Sequence, residues 1–354
     1  MGATAKRAAI VTLVAGAIVV AALALWKIKI VIALVFFGLI IAAAMRPGVD
    51  WLQRRSVPRG AGVLLHYAAL AGVVALLLWL VVPPAISQIQ QAIGNVPTTS
   101  SELHRQAKAA TGIKHDVLTG LEKQLRKLPS GATLVHPAVE ATKKAFEALV
   151  GIFFTFAVAA YWIFERDRAI AFVQSLIPRR HRRVTRDTWM LIDDKLGAFV
   201  RGELVLIVFV ALLLSAGFFA IGLPYWLLIG CFAGLVEIVP VVGPLAAGAL
   251  AVGVGLTQSW HTALFAGLIV LAVRQFEDYI VIPRVLGHAV GLSPLLVLVS
   301  VTSIGILLGA FYVLIAIPIT AVLATLLDVV VRDVDPAEQE VPPVLFPGAR
   351  EDAR

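Results

Sequence analysis

The chain is organised around apolar runs of about 20 residues, the length a helix needs to cross a bilayer. Residues 8–26 and 28–45 form two such runs almost back to back. Residues 61–82 form a third, ending at Pro83-Pro84; residues 148–164 form a fourth and residues 203–222 a fifth. With no water in the hydrocarbon layer, a spanning segment has to satisfy its own backbone polar groups, which a helix does within one segment. Composition agrees with this reading. Of 354 residues, 60% are apolar and 15% charged, whereas an ordinary soluble domain is about 45–50% apolar and about 25% charged. The excess apolar surface must face lipid. A soluble enzyme, a secreted disulfide scaffold and a disordered chain are therefore excluded, and Cys231, alone in its type, cannot form an intrachain disulfide. The expected fold is all-α: a polytopic integral membrane protein.

The later runs are interrupted. Trp226 to Leu256 is cut by Pro240 and Pro244. Residues 262–282 carry Arg274, Glu277 and Asp278. Residues 294–331 are twice the required length and contain Gly305, Gly309 and Pro318. This predicts about eight crossings with broken or re-entrant pieces, including a half-helix over about 294–307 followed by a full crossing. The first run resembles a signal peptide, with Lys6 and Arg7 before it and Ala22-Leu23-Ala24 as a cleavage-like site. A second apolar span follows at once, however, so a helical hairpin is preferred. The net charge of +8 reads as cytoplasmic anchoring and not as nucleic-acid binding. Arg46, Arg54, Arg55 and Arg59 after span two, and the arginines after span four, place those loops and both termini in the cytoplasm of a bacterial inner membrane. Lys27 and Lys29 then fall on the outer side, against the rule. The chain divides into N-terminal helices (1–82), an extracytoplasmic helical insertion (83–147), span four with a basic amphipathic segment (148–202), a C-terminal transport core (203–331) and a disordered acidic, Pro-rich tail (332–354).

In the insertion, Thr99 and Glu102 form a capping-box pattern, and His136-Pro137 can open a helix that runs into span four. His104, His115 and His136 have no metal-ligand spacing, so solvated surface is expected and no metal. The run containing Arg179, Arg180, Arg182, Arg183 and Arg186 is either a plain anchor or a site for anionic lipid headgroups, with anchoring preferred. Trp189, Ile192, Leu196 and Phe199 then recur at helical spacing, with Asp187, Asp193, Asp194 and Lys195 between them, as in an interfacial amphipathic helix.

A charge at the bilayer centre costs about 2.5–3.5 kcal/mol on insertion scales. Glu237 lies three residues before Pro240 in GCFAGLVEIVPVVGP, where Pro240, Gly243 and Pro244 break the helix. Broken backbone at membrane depth is tolerated only in protein or along a water-filled cavity, and secondary carriers place ion-binding groups at such breaks. Glu237 is either a coupling group or a residue at an interface that snorkels while the prolines form a turn; a dry, packed Glu237 paired to a neighbouring helix would count against a carrier. Arg274 with Glu277 and with Asp278 has i,i+3 and i,i+4 spacing, so the three share a helix face, either lining a polar path or clamping structure. His66 reads as a helix–helix hydrogen-bonding group. Pro283, Gly287, Gly291 and Pro294 break the chain before the last run, Gly305 and Gly309 permit close helix approach, and Pro318 is expected to kink the helix it lies in. Gly222-Leu-Pro224 faintly echoes Gly291-Leu-Ser-Pro294. No phosphate-binding loop, H-E-x-x-H or G-x-S-x-G occurs, so no catalytic role or cofactor is expected.

With these segments in place, the chain resembles the autoinducer-2 exporter family of bacterial membrane proteins. The resemblance rests on AAAMRPGVDWLQRRSVPRGAGVLL, VVPPAISQIQ and AAYWIFERDRAI. Above all it rests on EIVPVVGPLAAG and IPRVLGHAVGLSPLLVLVSVTSIGILLGAFYVLIAIPITAVLATLL, in that order over most of residues 35–327. The resemblance implies about eight crossings, export of small molecules such as the quorum signal autoinducer-2, sodium/proton antiport in some members, and homo-oligomers. The family usually has Asp at Glu237, often Asn at Asp278, commonly His at Ser293 and a glycine near Tyr312.

Together these readings predict a secondary exporter with Glu237 as the coupling carboxylate and Arg274, Glu277 and Asp278 shaping the polar lining. Its partners would be the bilayer, a small-molecule or ion substrate and further copies of itself. The rivals are a cation/proton antiporter and a non-transporting envelope scaffold.

Overall fold

The computed structural model describes residues 2–93, 135–239, 242–285 and 291–345. Among these it is helical with no strand. The long helices are α1 (Gly2–Lys27), α2 (Lys29–Arg54), α3 (Arg59–Ile93), α4 (Val135–Ser175) and α5 (Arg182–Ala220). Five helices of the described residues are long and apolar enough to cross a membrane, and these are the first five expected spans. Shorter helices come after them: α6 (Trp226–Val236), α7 (Val242–Leu256), α8 (Trp260–Phe276), α9 (Ile282–Val285), α10 (Pro294–Leu308), α11 (Ala310–Val313) and α12 (Ala316–Val330). At about 1.5 Å per residue, α6, α7, α10 and α12 are each too short to cross a hydrocarbon layer of about 30 Å. After Ala220 these short helices alternate with one longer stretch, Trp260–Val285, where α8, a π-turn and α9 follow without a break, and the full crossing expected after residue 307 is instead the two pieces α11 and α12. Large apolar side chains stay open on the outside, Phe153 at 74% and Ile306 at 80%, a surface only lipid or another subunit can cover.

α5 is the axis. Its C-terminal half packs with α6, α7 and α8 around Val210, Leu214, Phe218, Ile229, Ala251 and Ala266. Its N-terminal half meets α2 and α11 around Ile40, Leu196, Tyr312 and Ile315. α2, α3 and α4 close a third core at Ala42, Val49, Val63 and Ala159. The α2–α5 seam has a chemical logic. Pro47 inside α2 has no N–H to give the carbonyl of Ala43. Arg201, buried on α5, donates from Nη1 to Ala43 O at 3.4 Å and Ala44 O at 3.1 Å. Gly197 lets the helices approach this closely, since a Cβ there would lie 2.5 Å from Ala43 O.

Several expectations change. Residues 8–45 do not form a packed hairpin. Helical hydrogen bonds continue through the joint, from Ile28 N to Ala24 O at 3.1 Å and from Ile32 N to Ile28 O at 3.0 Å, and α1 is exposed from Ile10 to Lys27. The amphipathic segment is no separate interfacial helix; it is the first half of α5, and its Asp194 and Lys195 are buried in protein. The tail is held against the bundle as far as Val344. Lys195 Nζ donates to Gln339 Oε1 at 3.0 Å, Arg201 Nε donates to Val344 O at 2.8 Å, and Val344 and Val341 sit against Ala198. Pro318 does not kink a helix: it lies in the first turn of α12, where its missing N–H costs nothing. His66 bonds Gly62 O of its own helix at 2.8 Å, with its ring against Gly48 of α2. α4 opens at Val135 with Pro137 in its first turn, as expected. The Thr99 cap, His104 and His115 lie outside the described residues, as do Pro240, Gly287 and the chain beyond Leu345.

Candidate functional site

Three broken stretches shape the site. α6 and α7 pack on each other, and Glu237 comes directly after α6 in the turn between them. The chain doubles back so tightly there that a Cβ on Gly243 would collide with the carbonyl of Val236, which is why a glycine stands at that position. Pro244 falls in the first turn of α7, where no intrahelical donor is needed. α8 runs into a π-turn, Glu277–Val281, closed by the Ile282 N–H bonding Glu277 O. Pro283 comes two residues after this widened turn. It has no N–H to continue a regular helix, and π-turns of this kind gather at functional sites.

Gly291 (φ 66°) then leads into α10, with Ser293 as its N-cap and Pro294 in the first turn; Leu296 N–H donates to Ser293 Oγ at 3.3 Å. Ser293 thus has a structural task as this cap. Gly222 has the same φ of 66° ahead of α6, so the echo between the two segments exists in the backbone. α10 ends at Gly309 (φ 106°), and α10 and α12 touch across α11. Gly305 faces Val313 of α11, so the Gly305–Gly309 spacing serves this fold-back and no straight helix pair.

The two charged motifs, distant in sequence, form one cluster. Arg274 Nη1 donates to Glu237 Oε1 at 2.8 Å and to Glu277 Oε2 at 3.2 Å, and Arg274 Nη2 pairs with Asp278 Oδ1 at 3.1 Å. Glu237 and Glu277 thus meet at one nitrogen, Arg274 Nη1, which brings their carboxyl groups close together. A fourth carboxylate, Glu203 on α5, is near enough to feel the charge of both. Sequence reading missed Glu203 because it stands at the very start of span five, where a polar residue reads as a boundary. Glu237 and Glu277 are enclosed, at 7% and 2% exposure, and Glu237 is paired to the neighbouring α8. That is the arrangement expected of a clamp. The cluster is not sealed, however: the side chains of Arg274 and Asp278 are 29% and 39% exposed and form its open edge. One guanidinium faces three carboxylates directly and a fourth close by, an imbalance that a pure clamp does not need. The carboxylates do not form a metal cage; among the described residues no group of three His, Cys, Asp or Glu side chains is arranged to hold a metal ion.

The basic run is a separate feature. Arg179–His181 is a short 3-10 turn before α5. Arg182 Nε caps Ile177 O at 3.0 Å, and Arg183 pairs with Asp187 at 3.5 Å. Nearby, Arg166 Nε donates to Asp193 Oδ2 at 2.6 Å, and Arg46 lies 3.7 Å from the same oxygen, binding α2, α4 and α5 at one end of the bundle.

Comparison with known proteins places this architecture among transporters. A family model described as AI-2E family transporter matches residues 12–332. Two similar proteins of Bacillus subtilis, both named as candidate transport proteins, are YrrI and YueF. YrrI is 22% identical over 85% of this chain and 86% of its own length. YueF is 26% identical over 82% of this chain and 83% of its own. MT0215 of Mycobacterium tuberculosis, likewise named as a candidate transport protein, is 24% identical over 83% of this chain and 82% of its own length.

Proposed function

This chain belongs to the AI-2E family of membrane transporters, and from that premise we propose that it is a secondary exporter of a small molecule, driven by a proton held between Glu237 and Glu277. The observation that carries the reading is the carboxylate excess around Arg274. Two buried carboxyl groups that meet at one guanidinium nitrogen, with a third beside them, cannot all be ionised at low cost, so Glu237 and Glu277 share a proton. Arg274 balances one remaining charge, and the open edge at Asp278 gives the proton a way out. The breaks at Gly243 and Pro244, the π-turn and Gly309 let the half-helices rearrange around that centre. The family resemblance makes autoinducer-2 the first substrate to try, with the chain in the bacterial inner membrane and both termini inside. The same carboxylate excess favours cation/proton antiport as the second reading.

Proteoliposomes with an entrapped pH dye test both. Proton flux driven by an autoinducer-2 gradient, indifferent to sodium and lost in Glu277→Gln, supports the exporter. Flux driven by sodium without autoinducer-2 supports antiport. No proton movement under either gradient overturns both, and if no solute moves either while crosslinking traps a stable partner, the envelope scaffold stands.

A further inference from the structure

The basic run and the helix ends beside it enclose a feature that the transport reading does not use. A cavity of about 750 Å³ lies between α2, α4, the first half of α5 and the end of α12, lined by Phe36, Trp162, Trp189, Ile192, Val322 and Leu326 among others. Its lining is mostly apolar, with His181, Thr185, Thr188, Asp193 and Asp333 as its polar members. Thr185 and Thr188 spend their hydroxyls on His181 O at 3.0 Å and Val184 O at 2.7 Å, and Asp193 is held by Arg166 and Arg46. Water inside would find few partners, whereas buried water needs two to four. The contents best suited to such a space are hydrocarbon. Trp162 and Trp189 stack in its wall with centroids 5.9 Å apart, and tryptophan collects at the membrane–water interface.

The mouth is cationic. His181, Val184 and Thr185 line the cavity, and the arginines 179, 180, 182, 183 and 186 stand on the same turns of chain. Opposing them are Asp187, which pairs with Arg183, and Asp333 at the lining. Five arginines beside two aspartates leave excess positive charge directly next to an apolar hole. At 39 residues, α5 is about 58 Å long, well beyond a hydrocarbon layer of about 30 Å. Its basic end therefore projects beyond the hydrocarbon, while Phe36 and Leu39 from the apolar run 28–45 and Trp162 at the end of the run 148–164 bring the cavity wall to membrane depth. We propose that this cavity binds an anionic phospholipid, with an acyl chain lying between Trp162, Trp189 and Leu326 and the headgroup phosphate held by the Arg179–Arg186 run. A bound chain there would cement α2, α4, α5 and α12 at the end where Arg166, Asp193 and Arg46 already meet. Clusters of four to eight basic residues beside a membrane helix are suited to anionic lipid. The apolar cavity makes this run a site and distinguishes it from a plain anchor.

The test uses the full-length protein in phosphatidylcholine vesicles doped with phosphatidylglycerol brominated on its acyl chains, with brominated phosphatidylcholine at the same mole fraction as reference. Brominated phosphatidylglycerol is expected to quench tryptophan fluorescence more than the reference. That excess should fall to the reference level in Trp162→Phe/Trp189→Phe, and also in Arg179→Gln/Arg180→Gln/Arg183→Gln, whose side chains are exposed and carry no core packing. Native mass spectrometry gives a second readout: phosphatidylglycerol is retained by the wild type and lost from Thr188→Trp, which fills the cavity. Equal quenching by the two lipids, or an excess that survives the tryptophan double variant, overturns the proposal. Retention of phosphatidylglycerol by Thr188→Trp overturns it as well.

Discussion

Arg274→Gln removes the cation that three carboxylates share. The guanidinium lies 2.8 Å from Glu237, 3.2 Å from Glu277 and 3.1 Å from Asp278. The side chains of Glu237 and Glu277 are 7% and 3% exposed, so neither regains solvent where it stands. Removing one partner of a buried ion pair costs about 3–5 kcal/mol, because the charge left behind is uncompensated. At about 1.4 kcal/mol per factor of ten, the ratio of folded to unfolded protein falls by roughly two to three and a half orders of magnitude. Denaturant titration of the purified protein in mild detergent, followed by tryptophan fluorescence, reads this loss. Its cause can be isolated. Arg274→Gln/Glu277→Gln strands one carboxylate fewer, so the double variant should be more stable than Arg274→Gln alone, with a coupling of about 0.5–3 kcal/mol. Acidifying the solution should narrow the gap between Arg274→Gln and wild type, since protonation neutralises the stranded groups. A single variant as stable as wild type, or two substitutions whose effects simply add, would refute the reasoning.

Other parts of the fold give sharp expectations. The phenol of Tyr312 is buried with no hydrogen-bond partner among the described residues, and an unsatisfied buried donor costs about 1–3 kcal/mol; Tyr312→Phe should leave stability unchanged or raised in the same titration, and a clear loss would contradict the packing described. Gly197→Val pushes a side chain into Ala43 O and should cost about 1–3 kcal/mol, whereas Gly253→Ala on α7, with open space around it, should be neutral or stabilising by about 0.4–1 kcal/mol. Arg201→Met leaves Ala43 O, Ala44 O and Val344 O without their donor. It should both destabilise the protein and loosen the C-terminal strap, read as faster protease clipping after Arg332; unchanged clipping would show that Val344 is held by something else.

The spans, the broken helices and the basic stretches were legible because each is written locally: twenty apolar residues, a Pro, a Gly, a run of Arg. The triad of Arg274, Glu277 and Asp278 was legible for the same reason, since i,i+3 and i,i+4 spacing fixes a face. Its union with Glu237 was not, because the bond between them closes a loop of 37 residues and depends on how α6 folds back on α7. Glu203 and Arg201 were missed for a related reason. A charge at the edge of an apolar run reads as a boundary, and only the packing shows Arg201 serving a carbonyl freed by Pro47 on another helix. The tail misled through composition: an acidic, Pro-rich stretch offers little to bury, yet Pro336 and Val344 are buried, and bonds from Lys195 and Arg201 to Gln339 and Val344 hold the strap between them.

Proton release read in solution bears most directly on the shared proton of Glu237 and Glu277. Purified protein in weakly buffered detergent is titrated with sodium ions or with autoinducer-2 while an indicator dye tracks pH. Wild type should acidify the solution as one of the two binds, and Glu237→Gln and Glu277→Gln should each abolish that release. Release that persists undiminished in both variants would contradict the account, and so would a wild type that transports in vesicles without releasing a proton.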